Sequence, residues 1–350
     1  MEKGSLDKLP RVAFTIGEPG GIGPQLLFHF LQGEGWAESF IPIVLAHRRV
    51  IERWRSFLGL SGGLRYHAIR HVRDAKPAQL NLIECGSLND FVIGSASPEG
   101  GRLARTAFIE GVKLAQTGEL DLLVTLPVDK ATFYDEATFP YRGHTEYLRA
   151  HSPNTPPLML MVSDTLRIAV LTEHIPLREV AHHITAQNLR QAILTLHQTL
   201  KQDFGVPTPR IAILGLNPHA GDDGIIGAEE KEVIQPLIAA LGEESLWVGG
   251  PFSPDGFFAA RGYQRVDAVL ALYHDQGLIP FKLLVGWEGF QYSSGLPFVR
   301  TAPDHGVAYD QVGKDTADIS SLSLAVWEGL AIVRRRQAWQ ESQGESGAPS

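Results

Sequence analysis

Cysteine is nearly missing from this chain: Cys85 is the one thiol in 350 residues. That excludes an internal disulfide or a thiolate cluster, so any metal must be held by imidazole and carboxylate. Cys85 also has no activating neighbour in sequence and reads as a buried structural residue. Runs of basic residues are missing too. Lys and Arg total 31 against 39 Asp and Glu, a formal net charge of -8. A surface of that sign repels phosphate backbones, which argues against nucleic-acid binding but leaves room for a local basic pocket around a small anion. No apolar stretch reaches the ~18 residues of a membrane span. Residues 1–10 are polar and lack the apolar core of a secretory signal, so no membrane partner and a cytoplasmic location are expected. A Gly-x-Ser-x-Gly nucleophile elbow is absent.

What is present is enough apolar material, 44% of residues, for a folded protein, on a chain too long for one core. Two domains, or one large domain with a lobe, are expected. Short β-branched runs at 12–16, 41–45, 80–83, 122–126, 166–171, 210–214 and 268–272 read as strands covered on both faces. Amphipathic helices are expected between them at 25–31, 102–117 and 186–204, the last capped by Thr185 and stopped by Gly205. A final helix is expected over 318–336, its Arg334, Arg335 and Arg336 complementing the helix dipole, with a frayed polar tail over 337–350. The alternation predicts an α/β protein with a mostly parallel or mixed sheet. The chain is expected to change domain near Tyr141-Arg142-Gly143 and Ser293-Ser294-Gly295.

The loop Gly17-Glu18-Pro19-Gly20-Gly21-Ile22-Gly23-Pro24 joins the first strand to the first helix, with Pro24 suited to the first helical position. It reads equally as an anion cradle or as a tight turn, and it is neither a P-loop nor a dinucleotide fingerprint. Three strands run into a histidine: Thr172-Glu173-His174, Asn217-Pro218-His219 and Tyr273-His274-Asp275. Each alone reads as an ordinary hydrogen-bonded residue, but three in equivalent places can form the face of a divalent metal site. Asp275 and Glu173 are natural acceptors to hold the rings. Gly143-His144-Thr145-Glu146 opens a helix with Thr145 as a cap. Lys282 and Arg300, beside apolar segments, are candidate anion contacts.

Taken together, these motifs resemble one family. The glycine loop, Gly143-His144-Thr145-Glu146, Glu173-His174, Asn217-Pro218-His219-Ala220-Gly221, Tyr273-His274-Asp275-Gln276-Gly277, Gly295-Leu296-Pro297 with Arg300-Thr301, and Asp304-His305-Gly306 occur in the same order in the NAD-dependent 4-hydroxythreonine-4-phosphate dehydrogenases of pyridoxal phosphate biosynthesis. The resemblance runs from about Val12 to Arg334. It implies a two-domain α/β/α fold similar to isocitrate and isopropylmalate dehydrogenases, residues 1–140 with 296–350 forming one domain and 141–295 the other. It also implies a homodimer with a shared active site in the interdomain cleft, using NAD or NADP and a divalent metal (zinc, magnesium or cobalt). His174, His219 and His274 match the family's metal ligands, and His144, Thr145, Lys282 and Arg300 its contacts to a small phosphorylated amino-acid substrate. Asp255 and Asp275 match acidic residues of its cleft.

The implied reaction is oxidation of 4-phosphohydroxy-L-threonine to 2-amino-3-oxo-4-(phosphooxy)butanoate, which decarboxylates to 3-amino-2-oxopropyl phosphate. Asp275 or Lys282 would take the proton. Two departures stand out. Gln291 occupies a substrate-contact position where the family usually has Asn, and Gln25 follows Pro24 where an acidic residue is common. Either could mark a sister dehydrogenase acting on 4-phospho-threonate or -erythronate. A zinc hydrolase and a non-catalytic ligand binder are rival readings that leave most of the motifs unexplained.

Overall fold

The computed structural model describes residues 9–60, 65–152, 156–314 and 317–345. Among the described residues twelve strands are formed: β1 Arg11–Thr15, β2 Ile41–Ala46, β3 Tyr66–Ile69, β4 Leu80–Glu84, β5 Leu122–Thr125, β6 Leu158–Val162, β7 Arg167–Thr172, β8 Arg210–Leu214, β9 Trp247–Phe252, β10 Ala268–Tyr273, β11 Phe290–Ser294 and β12 Val299–Pro303. All seven expected strands are among them, within a residue or so at each end. The other five escape an apolar pattern: β9 carries two glycines and a proline, β11 two serines and β12 an arginine and a proline, β3 is short, and the Leu/Met run of β6 is no strand signature.

The chain divides into two compact units, Met1–His151 with Pro297–Val333 and Ser152–Leu296 with Arg334–Ser350. The first holds the order β3-β4-β2-β1-β5-β12, every pairing parallel. Residues of β1, β2 and β5 are buried almost throughout, as a sheet covered on both faces requires. The second holds β11-β6-β7-β10-β8-β9, antiparallel at β11–β6 and β6–β7 and parallel beyond. Its core gathers Met161, Ile168, Val170, Leu214, Val269 and Phe281.

These units depart from the expected division at two places, each with a visible cause. Residues 141–151 belong to the first unit because His144 and Tyr147, on the helix His144–Ala150, pack their rings on Phe108 of the helix Pro98–Gln116. Residues from Arg334 onward belong to the second unit because Arg336 is drawn into a buried ion pair. Its guanidinium donates Nε to Asp203 Oδ1 (2.8 Å) and Nη2 to Asp203 Oδ2 (2.8 Å), while the Tyr292 hydroxyl donates to Asp203 Oδ2 (2.6 Å). Arg336 is therefore an anchor rather than a dipole complement. The expected fraying after 336 is likewise replaced by helix, which runs Ser320–Glu345 and places Trp339 under the Lys201 ammonium at 5.6 Å; 346–350 lie outside the described residues.

The glycine loop is a tight turn. Four of its amides are bonded within the protein: Glu18 N to Pro127 O, Gly20 N to the Glu18 carboxyl, Gly21 N to Glu18 O and Ile22 N to Val307 O. Gly17 sits at φ +65°, where a Cβ would lie 2.3 Å from Pro127 O. The helix begins at Ile22, so Pro24 occupies its third position. Glu18 is buried behind the turn, accepting from Gly20 N (3.4 Å) and the Thr132 hydroxyl (3.2 Å). Burial pushes its carboxyl up to about 7 against those bonds, with nearby Asp129 adding to the rise.

Both buried acids bear on stability in measurable ways. Arg336→Met leaves the Asp203 carboxylate buried without its cation, and chemical denaturation should show a loss of about 3–5 kcal/mol. Glu18 binds its proton more tightly folded than unfolded, so its contribution is present below about pH 4.5 and is lost as pH rises towards 7. Glu18→Gln should therefore match the parent in acid and exceed it at pH 8 by up to roughly 3 kcal/mol, read from denaturation midpoints.

Candidate active site

In the second unit the parallel pairing of β7 with β10 sets Thr172 opposite Tyr273. The residues that leave these neighbouring strand ends are Glu173-His174 and His274-Asp275, so two histidines distant in the chain come side by side, ring centroids 5.9 Å apart. They line a pocket of about 280 Å³ together with Thr172, Glu173, Tyr273 and Asp275. A larger cavity of about 490 Å³, lined by Trp247, Phe252 and Phe257, is mostly apolar and holds none of these groups.

His274 opens the helix His274–Val285, and its Nδ1 lies 2.7 Å from Asp275 Oδ1. A carboxylate there fixes the proton on Nδ1 and leaves the Nε2 lone pair for a ligand. Behind it, buried Gln276 accepts from Leu272 N (2.7 Å) and donates to Gly215 O (2.7 Å), tying the end of β10 to the end of β8. Lys282 is exposed two turns along the helix from Asp275, a spacing that puts both on one face. Gln291 lies on β11 opposite Met161 of β6.

His219 is presented differently. After β8 the chain passes through Asn217-Pro218 into five consecutive left-handed residues, His219 to Asp223, with φ between 44° and 80°. Four of the five carry a Cβ, each at a cost of about 1–2 kcal/mol, strain of the kind that gathers at functional sites. Asp255, at the start of the helix Pro254–Ala259, takes the Ser253 hydroxyl at 2.6 Å. That bond, the Gly256 amide and the charge of His219 hold its carboxyl below the usual range. Among the described residues no three His, Cys, Asp or Glu side chains converge on one point as a metal site. The nitrogen donors themselves, two of them paired and one ring oriented by a carboxylate, suit a borderline divalent cation.

In the first unit Arg300, on β12 and almost fully buried, aims at the end of β5. Nε donates to the Thr125 hydroxyl (3.0 Å), and Nη2 donates both to that hydroxyl and to His144 Nδ1 (3.2 Å). A guanidinium only donates, so His144 Nδ1 must accept and the ring proton lies on Nε2. Burial, with the Arg300 charge second, holds His144 well below the usual histidine range and keeps it neutral. Its Nε2 is buried without a hydrogen-bond partner among the described residues, an unused donor beside a fixed cation. Thr145 is buried one residue on and is not the cap: Gly143 holds that position without a side-chain bond.

The structure thus brings His174 to His274 and Asp275, and His144 to Arg300. Thr125 was missed in the sequence, being a single polar residue in an apolar strand, and Gln276 was quoted there only within a motif, without its bridging role; the signal for each was its place at or just after a strand's C-terminal end.

A family model described as pyridoxal phosphate biosynthetic protein PdxA matches residues 38–328 of this chain. The 4-hydroxythreonine-4-phosphate dehydrogenase of Acidithiobacillus ferrooxidans is 38% identical over 341 residues, covering 94% of this chain and 98% of that protein. Its counterpart from Bacteroides thetaiotaomicron is 35% identical over 329 residues, covering 93% and 90%. The crystal structure of the Klebsiella pneumoniae 4-hydroxythreonine-4-phosphate dehydrogenase aligns with a TM-score of 0.78 at 31% identity, covering 94% of this chain and 99% of that one. A terephthalate 1,2-cis-dihydrodiol dehydrogenase from Burkholderia xenovorans shares the fold at TM-score 0.61 and 23% identity. The chain belongs to the pyridoxal phosphate biosynthetic protein PdxA family and is an enzyme of the NAD-dependent dehydrogenase class.

Proposed function

We propose that this enzyme oxidises 4-phosphohydroxy-L-threonine with NAD, giving 2-amino-3-oxo-4-(phosphooxy)butanoate, which then loses carbon dioxide to form 3-amino-2-oxopropyl phosphate. The observation that carries the reading is the His144–Arg300 pair, a neutral imidazole with an unused Nε2 donor beside a buried guanidinium. Such a pair suits an anionic oxygen of a phosphorylated substrate, and Thr145 lies beside it. His174, His219 and His274 would hold a divalent ion (zinc, magnesium or cobalt), which supplies Lewis-acid polarisation of the hydroxyl to be oxidised. Asp275 fixes the His274 ring through Oδ1, and Lys282, on the same helix face, is the second candidate to accept the substrate proton. Gln291 reads a further polar group of the substrate.

The helix that carries these residues also exposes Ile279, Leu283 and Trp287 close after it, the last two 81% and 64% exposed. Apolar surface of this kind beside catalytic residues supports a homodimer with a shared active site. No helix among the described residues is long and apolar enough to cross a membrane, and the net charge of -8 argues against a nucleic-acid partner. The longer Gln291 favours one second reading, a sister dehydrogenase acting on 4-phospho-threonate or -erythronate.

NADH absorbance tests the reading. With 4-phosphohydroxy-L-threonine and a divalent metal, NADH should form, and chelation should stop it; turnover only with 4-phospho-threonate or -erythronate would select the second reading. His219→Ala should keep its circular dichroism spectrum and lose both metal and turnover. Leu283→Glu should give monomers in sedimentation with activity lost in parallel, and full activity in a monomer would sink the shared site.

A further inference from the structure

The left-handed turn bearing His219 needs something to hold it, since four residues with a Cβ do not adopt that conformation unaided. The fastening is Glu230, buried and outside the chemistry proposed above. One carboxylate oxygen accepts from Asn217 N at 2.7 Å, and the other accepts from Asn217 Nδ2 at 2.9 Å. Glu229 takes the same Nδ2 at 2.7 Å. The residue two before His219 is thus gripped by both its backbone and its side chain.

The packing around this grip leaves no slack. A Cβ on Gly221, in the middle of the turn, would lie 2.7 Å from a Glu230 oxygen, and one on Gly227 would lie 2.1 Å from Asn217 Nδ2. Glu230 also opens a π-type turn, Glu230–Ile234, an irregularity that recurs at functional sites. A carboxylate buried only to stabilise the unit would be a poor choice, because an apolar residue could fill the space with less desolvation. What a carboxylate adds is two directed acceptors at a fixed separation, and both are used on Asn217.

We propose that Glu230 is a positioning residue, whose carboxylate, acting through Asn217, holds the left-handed turn that presents the His219 imidazole to a divalent cation. The inference rests on the metal reading of His219 and adds to it the device that aims the ring. Glu230→Gln keeps the shape but sets an amide donor against Asn217 Nδ2, and Asn217→Ala removes the gripped group while leaving Glu230 in place.

The test uses the full-length metal-free protein and zinc alone, its dissociation constant read by chelator competition, with the visible spectrum of the cobalt-loaded protein as a second signature. Both variants should weaken zinc by about 10–100-fold and shift the cobalt bands. Both should also speed amide hydrogen exchange across 217–227 before any metal is added. A folded variant that is less heat-stable yet binds zinc with parental affinity would reduce Glu230 to a structural role and overturn the proposal; should Glu230→Gln not fold, Asn217→Ala decides between the same two outcomes. His219→Ala is the control. Parental zinc affinity in that variant overturns the metal reading itself, whereas weak binding there with unchanged binding in the Glu230 and Asn217 variants overturns only the positioning role.

Discussion

Parallel pairing of β7 with β10 is the constraint on which the candidate catalytic face depends. Two parallel strands in register end at the same level, so whatever follows each strand is delivered to the same place. Glu173-His174 and His274-Asp275 come together for that reason, not through any local motif. The apolar interior of both strands excludes polar groups until the strands end, which leaves their C-terminal ends as the first positions where imidazole and carboxylate can meet solvent and ligand. Gln276 extends the same logic to β8 by bridging Leu272 N and Gly215 O, so the start of the His219 loop is tied to the start of the His274 helix.

Two buried ionisable groups in the first unit have their proton affinities moved in opposite directions by one cause, desolvation, which favours the neutral form of each. Glu18 is buried near one other acid and two modest donors, so desolvation wins and the carboxyl holds its proton to about 7. Below that pH it is a neutral packing group, behind a turn in which the amides of Glu18, Gly20, Gly21 and Ile22 have partners. His144 is buried against a fixed cation, so desolvation and charge act in the same direction and the ring stays neutral. The tautomer is then decided by a single bond, Arg300 Nη2 to Nδ1, which turns Nε2 into a donor. In each case desolvation decides which form is favoured, and the neighbouring charge adds to it.

The parts legible in the sequence were those with a periodic or repeated signal. Continuous apolar runs marked seven strands, the Thr185 cap and the long helices were plain, and of the three histidines that follow strands two, His174 and His274, come side by side. The glycine loop was ambiguous because a tight turn and an anion cradle use the same residues; only the partners of the Glu18, Gly20, Gly21 and Ile22 amides separate them. The domain boundary was misplaced because helix His144–Ala150 is held by ring packing from Phe108, a contact between distant segments that no local pattern records. The role of Arg336 was invisible for the same reason: Asp203 and Tyr292 are far away in sequence. The left-handed run at His219 was hidden because four of its residues are ones that turn rules do not place at positive φ in succession.

On the proposed function, the buried triad of Asp203, Tyr292 and Arg336 bears on substrate choice. Gln291 immediately precedes Tyr292, whose hydroxyl is held 2.6 Å from Asp203 and 2.7 Å from Arg336, and β11 is paired with β6 on both sides of that residue. The backbone at 291 is therefore pinned and cannot retreat to absorb a longer side chain. Relative to an asparagine, the terminal amide of Gln291 reaches about 1.5 Å further, the length of one carbon–carbon bond. A shift of that size is enough to make or break a hydrogen bond to a substrate amino or hydroxyl group. On the proposed reading, the histidines and Arg300 define what kind of reaction the fold performs, while one methylene on a rigid strand discriminates between phosphorylated substrates that differ only in what stands at that carbon.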